Sequence, residues 1–141
     1  MIRRLGGRGR DIPNDLDIEN VAEEIESVGR SELAAVKSYI RLIFVHFIKL
    51  VAEAGSDVEP HWESEIFVFH SEMVSRYAPS MRQRIDIDAL WRSAREPAIL
   101  AYRAAHQQRQ IVAGLPVKSP FGLDELLGEQ IDIFELVQRL R

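Results

Sequence analysis

The side chains able to do chemistry are few and scattered along the sequence. There is no cysteine among the 141 residues, which excludes disulfides, thiolate metal sites and cysteine nucleophiles together. Any metal site must draw on the four histidines and the carboxylates. His46 is the most suggestive of these because it lies in the most apolar stretch of the chain, residues 39–51, beside Ile43, Phe47 and Leu50. Burial there would tune an imidazole for general-base or ligand duty. The plainer expectation is a core-edge histidine hydrogen-bonded to a neighbour. Lys49, one turn on, is expected to run its stem past the core toward water or a carboxylate. Glu23 with Glu26, and His61 with Glu65, each put two donor atoms on one helical face. The Glu-x-x-His pairs of two-metal helical bundles are absent, so neither a metal nor a cofactor is expected. Trp62 and Trp91 read as core anchors before ligand platforms, and His70 and His106 carry no recognisable pattern. Gly6, Gly7 and Gly9 neither follow a strand nor open a clear helix, which removes the phosphate-loop reading. No strand-turn-helix nucleophile elbow is present.

These residues must be positioned by helices, because no period-two alternation and no internal repeat appears. Asp17 suits an N-cap, and Ile18, Val21, Ala22, Ile25 and Val28 follow at helical spacing until Gly29. Glu19, Glu23, Glu24 and Glu26 form the wet face of that first helix. A second, nearly surrounded helix opens at Ser31 and carries Leu33, Val36, Ile40, Ile43, Phe47 and Leu50 in three-four steps, ending at Gly55-Ser56-Asp57. Pro60 suits the first turn of a third helix through Trp62, Ile66, Phe69 and Met73, stopped by Ala78-Pro79-Ser80. A fourth begins at Asp86 or Asp88 and runs to about Val112, and Pro97 is expected to kink or divide it. Its alanines 98, 101, 104 and 105 favour close helix approach. Short helices follow, from Leu123 to Leu127 and from Ile133 to Leu140, separated by Gly128. The expected fold is all-α: an antiparallel helical bundle of four main helices plus one or two short C-terminal ones. Residues 1–15 form a flexible basic arm and residues 16–141 a single domain.

Charge bounds the partners. The first ten residues hold four arginines and no acid, so the remaining 131 carry 14 basic and 22 acidic groups, net -8. A body of that sign repels phosphate backbones, so nucleic acid is an expected partner only through the arm. The apolar stretch at residues 39–51 is interrupted by Arg41, His46 and Lys49 and falls short of the ~20 residues a membrane span needs. With no signal-peptide pattern, a cytoplasmic location without membrane contact is expected.

The run LDIENVAEEIESVGRSE at residues 16–32 resembles the opening signature of a bacterial family called domain of unknown function twenty-nine. His46 and Lys49 resemble its "His, two residues, Lys" pattern, and Pro79-Ser80-Met81-Arg82 its Pro-Ser-Leu/Met-Arg turn. Gly114-Leu115-Pro116, Pro120-Phe121 and Leu126-Leu127 resemble its closing segment. Met1 to Asn14 stands where family members usually carry a further helix, and the loop after the second helix lacks their Arg-rich segment. The resemblance implies a helical fold and bacterial origin, with no established reaction.

Two functional readings follow. The first is a non-catalytic interaction module or self-associating subunit, with contacts through the fourth helix or the apolar C-terminal Ile131, Ile133, Phe134, Leu136 and Val137. The alternative is a small hydrolase or nuclease using Glu23, Glu24, Arg30, His46 or Lys49. Glu23, Glu24, Arg30, His46, Lys49 and Trp62 are the candidate binding residues. If the first two helices form a hairpin turning at Gly29-Arg30, Glu23 lies level with Lys37 and apart from His46. A second turn near Asp57 sets Lys49 level with Glu65, and Glu53 level with His61. Two separate polar clusters are therefore expected.

Overall fold

A computed structural model describes residues 15–141, and side chains from Asn20 onward. The expected basic arm lies outside the described residues apart from Asp15. Among the described residues there are six α-helices, one 3-10 helix and no strand: α1 Asp15–Ala52, α2 Glu59–Arg76, the 3-10 turn Pro79–Arg84, α3 Ile87–Ala101, α4 His106–Ala113, α5 Leu123–Leu127 and α6 Ile133–Gln138. The all-α fold read from periodicity is the fold observed. The chain divides into two compact units, Met1–Glu32 and Leu33–Arg141.

Two helix boundaries differ from the expected ones. The first two expected helices are one 38-residue helix, α1, so the hairpin at Gly29-Arg30 does not exist. Glycine inside a helix costs only about 1 kcal/mol relative to alanine. No proline follows Gly29, and Arg30 pairs with Glu26 across it at 3.6 Å. The construction that set Glu23 level with Lys37 therefore has no turn to pivot on. Pro97, in turn, sits inside α3, and the helix ends only at Ala101, before α4 begins at His106. Proline removes one backbone donor, whereas a break in the chain also needs capping beyond the last turn. Tyr102 supplies it, its N–H reaching back to Ala98 and Leu100.

Other termini follow local chemistry. Gly55, at φ 87°, takes the left-handed conformation that ends α1, where a side chain would be strained. Its N–H donates to Glu59 Oε2 at 2.5 Å, which ties the turn to α2. Pro60 occupies the first turn of α2, and the Asp86 carboxylate caps α3 by accepting from the Ala89 N–H at 3.0 Å.

The core lies in the Leu33–Arg141 unit. Val36, Ile40, Ile43, Phe44 and Phe47 of α1 are completely buried, with Ile66 and Met73 of α2, Trp91 of α3 and Leu126 of α5. Phe121, from the loop after α4, holds the aromatic centre. Its ring lies 5.9 Å from Phe44, 5.3 Å from Phe47 and 6.0 Å from Trp91. Buried aromatic contacts of this kind contribute about 0.5 to 1.5 kcal/mol each beyond the area they remove from water.

One face of α3 fastens that loop. Asp88, Trp91 and Arg95 recur at i, i+3, i+7 and all bond to backbone. The Asp88 carboxylate accepts from the Ser119 N–H at 2.9 Å, and Trp91 Nε1–H donates to the Pro116 carbonyl at 2.8 Å. Arg95, buried, donates to the carbonyls of Ala113 at 2.9 Å and Leu115 at 3.3 Å. The arginine thereby satisfies carbonyls left over at the C-terminus of α4, where a positive charge is favoured.

The C-terminal segment corrects a further expectation. Ile131, Ile133, Leu136 and Val137 are buried in the core, and only Phe134 of the apolar set is exposed. The helices do shield this face, so its hydrophobicity serves packing.

Candidate functional site

The six candidate residues fall in both units. In Met1–Glu32, Glu23, Glu24 and Arg30 are all exposed. The Arg30–Glu26 pair at 3.6 Å is open to solvent on both sides, a situation that contributes about 0 to 1 kcal/mol.

In Leu33–Arg141, Lys49 of α1 meets Trp62 of α2, and His46 of α1 meets Glu65 of the His61–Glu65 pair on α2. His46 is 6% exposed. Its Nδ1–H donates to the Leu42 carbonyl one turn back at 2.8 Å, which fixes the ring, while its edge rests on Phe69 with centroids 5.2 Å apart. Nε2 then points at Glu65 Oε1, 3.3 Å away. The same oxygen lies 2.9 Å from His61 Nε2. One carboxylate oxygen therefore serves two imidazoles, one buried and one at the surface. With Nδ1–H committed to a carbonyl, the contact with Glu65 is attractive when the His46 ring carries both its protons. Lys49 Nζ stands 5.8 Å from the Trp62 ring centroid. Its stem packs and its charge sits over an aromatic face, an arrangement worth about 0.5 to 1 kcal/mol at a partly exposed site.

This arrangement departs from the expected clusters in two ways. Glu53 does not meet His61; its Oε2 accepts from the Tyr102 hydroxyl at 2.5 Å. Burial, then the hydrogen bond and charge of Glu53, push the Tyr102 phenol well above its ordinary range, since both oppose a phenolate. His46, expected apart from these residues, meets Glu65 instead, while Lys49, one turn on along α1, stands over Trp62.

Within the cluster, His46 has no open position. Both ring nitrogens of His46 are engaged, and a carboxylate oxygen occupies the point on which the two imidazoles converge. A general base needs a free nitrogen within reach of a substrate proton. Among the described residues no group of three or more His, Asp or Glu is placed to hold a metal ion. Trp62 is buried, which makes it the anchor expected and no ligand platform. His70 Nε2 is also buried and has no hydrogen-bond partner among the described residues.

The surface offers more room than the histidine cluster does. A cleft of about 620 Å³ lies between α2 and the start of α6, lined by Glu63, Phe67, Gln130, Ile131, Asp132 and Phe134. A smaller hollow of about 170 Å³ adjoins it through Glu63, Ile133 and Phe134, with Glu59 and Arg141 at its edge. Phe134 is 74% exposed and Phe67 54%. Sequence reasoning missed Phe67 as a surface residue. The available signal was its position beside Ile66, one step off the apolar seam of α2. No helix among the described residues is long and apolar enough to cross a membrane.

Comparison with known proteins agrees with this helical description. The crystal structure of an alpha-helical protein of unknown function from Rhodospirillum rubrum superposes with a TM-score of 0.79 at 37% sequence identity, covering 94% of this chain and 84% of that one. No curated protein matches. The family described as Domain of unknown function DUF29 matches residues 10–131. Most of the chain is thus accounted for, including the run at residues 16–32 and the turn at Pro79, and the chain belongs to the DUF29 family.

Proposed function

We propose that the chain is a non-catalytic helical interaction module of the bacterial cytoplasm whose contact surface is the cleft between Phe67 and Phe134. The observation that carries this reading is the exposure of Phe134, at 74%. Its neighbours Ile133, Leu136 and Val137 are buried, so α6 has already met its packing requirement without Phe134. An aromatic left in water beside a second one is the usual anchor of a protein contact. The acidic side chains at the rim, Glu59, Glu63 and Asp132, favour a protein segment that brings an apolar side chain together with lysine or arginine.

A photo-crosslinking phenylalanine analogue at position 134, introduced in the native host, tests this. The expected product joins position 134 to a protein segment carrying an apolar residue next to basic ones, and Phe67→Ser suppresses it. Both positions are exposed, so thermal melting should stay within about 0.5 kcal/mol of wild type. A folded protein that gives no product would refute the reading. So would turnover of a substrate that His46→Ala abolishes and Phe134→Ser leaves intact.

A further inference from the structure

The loop between α4 and α5 is pinned to α3 and yet turns an apolar side chain into water. Its backbone is held on both sides of residues 117 and 118. Trp91 Nε1–H donates to the Pro116 carbonyl at 2.8 Å, and the Ser119 N–H donates to the Asp88 carboxylate at 2.9 Å. The Ser119 hydroxyl donates onward to the Phe121 carbonyl at 2.8 Å, tying the loop to the aromatic centre. Between these anchors Val117 is 61% exposed, beside the exposed Lys118. A branched apolar side chain and a cation therefore stand side by side on a backbone that is already ordered, which removes much of the entropy cost of docking a loop.

We propose, on the reading of the Phe67–Phe134 cleft as a contact surface, that its occupant is this loop of a second copy of the chain, with Val117 seated between the two phenylalanines and Lys118 set against Glu63. Charge selects the loop. Residues 97–123 contain Arg103, Arg109 and Lys118 and no acid, whereas Glu59, Glu63 and Asp132 stand around the cleft against Arg141. Loop against cleft brings opposite signs together, and cleft against cleft would bring carboxylates against carboxylates. The side chains match as well: the aromatic pair asks for an apolar group with a cation next to it, and Val117-Lys118 is that pair on the chain's own surface. Within one chain the two do not meet, since Val117 and Phe134 are 61% and 74% exposed. A two-fold pair and a head-to-tail row both put position 117 of one copy into the cleft of another. One loop in one cleft is a small contact, of the transient class below ~1,200 Å², so association rises with concentration.

The absence of cysteine makes the test specific. Two full-length variants, Val117→Cys and Gln130→Cys, keep both phenylalanines and Glu63 and place one thiol on the loop and one at the cleft. Oxidised as a mixture, they should give the 117–130 disulfide at least about fivefold above either symmetric product. Adding Lys118→Glu to the loop variant should lower that yield about threefold, and Glu63→Lys in the cleft variant should restore it. All four positions are exposed, so the fold is expected to tolerate these changes. Comparable yields of the three products would mean random collision and overturn the proposal. Predominance of the 130–130 product would overturn it in favour of clefts facing each other, and a mixed yield indifferent to both charge reversals would overturn the seating of Lys118. If the mixed product fails while position 134 crosslinks to a different protein in the native host, the second copy is rejected and the cleft stands as a contact surface. If neither product forms, both readings fall.

Discussion

The two ends of α1 share a helical periodicity and have opposite surroundings. Val21, Ile25 and Val28 repeat at three-four spacing and are more than half exposed, whereas Val36, Ile40 and Ile43 repeat at the same spacing and are completely buried. Each stretch looks like the apolar face of a bundle helix. The difference lies in what the rest of the chain supplies. Around Val36 to Leu50 the unit brings Ile66, Met73, Trp91 and Phe121, whereas Val21, Ile25 and Val28 are open to solvent. Periodicity therefore states that a face wants a partner and is silent on whether the fold provides one.

Substitutions sharpen that contrast. The largest effect is expected at the buried aromatic centre: Phe121→Ala should cost about 3 to 5 kcal/mol, because it opens a cavity between Phe44, Phe47 and Trp91. The matching change at the other end, Ile25→Ala, should cost no more than about 0.5 kcal/mol. Urea unfolding of both variants measures the ratio. Comparable losses would mean that the α1 stripe is covered by something as well packed as the core.

A middle effect is expected at Arg95. Arg95→Leu leaves the Ala113 and Leu115 carbonyls without their donor, and an unpaired buried acceptor costs roughly 1 to 3 kcal/mol. The loss should appear first as faster hydrogen exchange in residues 113–121. Uniform destabilisation with no local signature would show that the arginine contributes through packing alone.

A change of opposite sign tests the exposed end by improving it. A Cβ at Gly29 would meet nothing within 4 Å, so Gly29→Ala should strengthen the helix by about 1 kcal/mol. That corresponds to roughly fivefold slower amide exchange around residues 25–32. The core should not respond. Unchanged exchange would indicate that this stretch is already held by contacts stronger than helix propensity.

How much was legible varies with the range of the interaction. Pro60, Asp86 and Gly55 mark helix ends through chemistry confined to a few residues, and they were readable without a fold. So was the seam of α1 from Val36 to Leu50, whose spacing requires burial on one side. Gly29 and Pro97 were misleading because a punctuating residue only biases the chain by a few kcal/mol or less, and the neighbouring turns overrode the bias.

The candidate site shows the same division. The His61–Glu65 pair, four residues apart on one helix, was legible, but the link from Glu65 to His46 depends on side-chain reach across two helices. Glu53 pairing with Tyr102 spans 49 positions, and nothing local to either residue announces it.

By itself, then, the sequence determined the helical class, the membership of Trp62 and Trp91 in the core, and the opposed charges of residues 1–10 and the remainder, because each follows from composition or from spacing within a few turns. Only the tertiary structure decided which apolar faces are covered, that Arg95 holds the end of α4, and that Phe134 stays in water while Ile133 and Val137 do not. Those outcomes depend on which distant segment has the shape to pack against a given surface. Spacing along one helix carries no record of that.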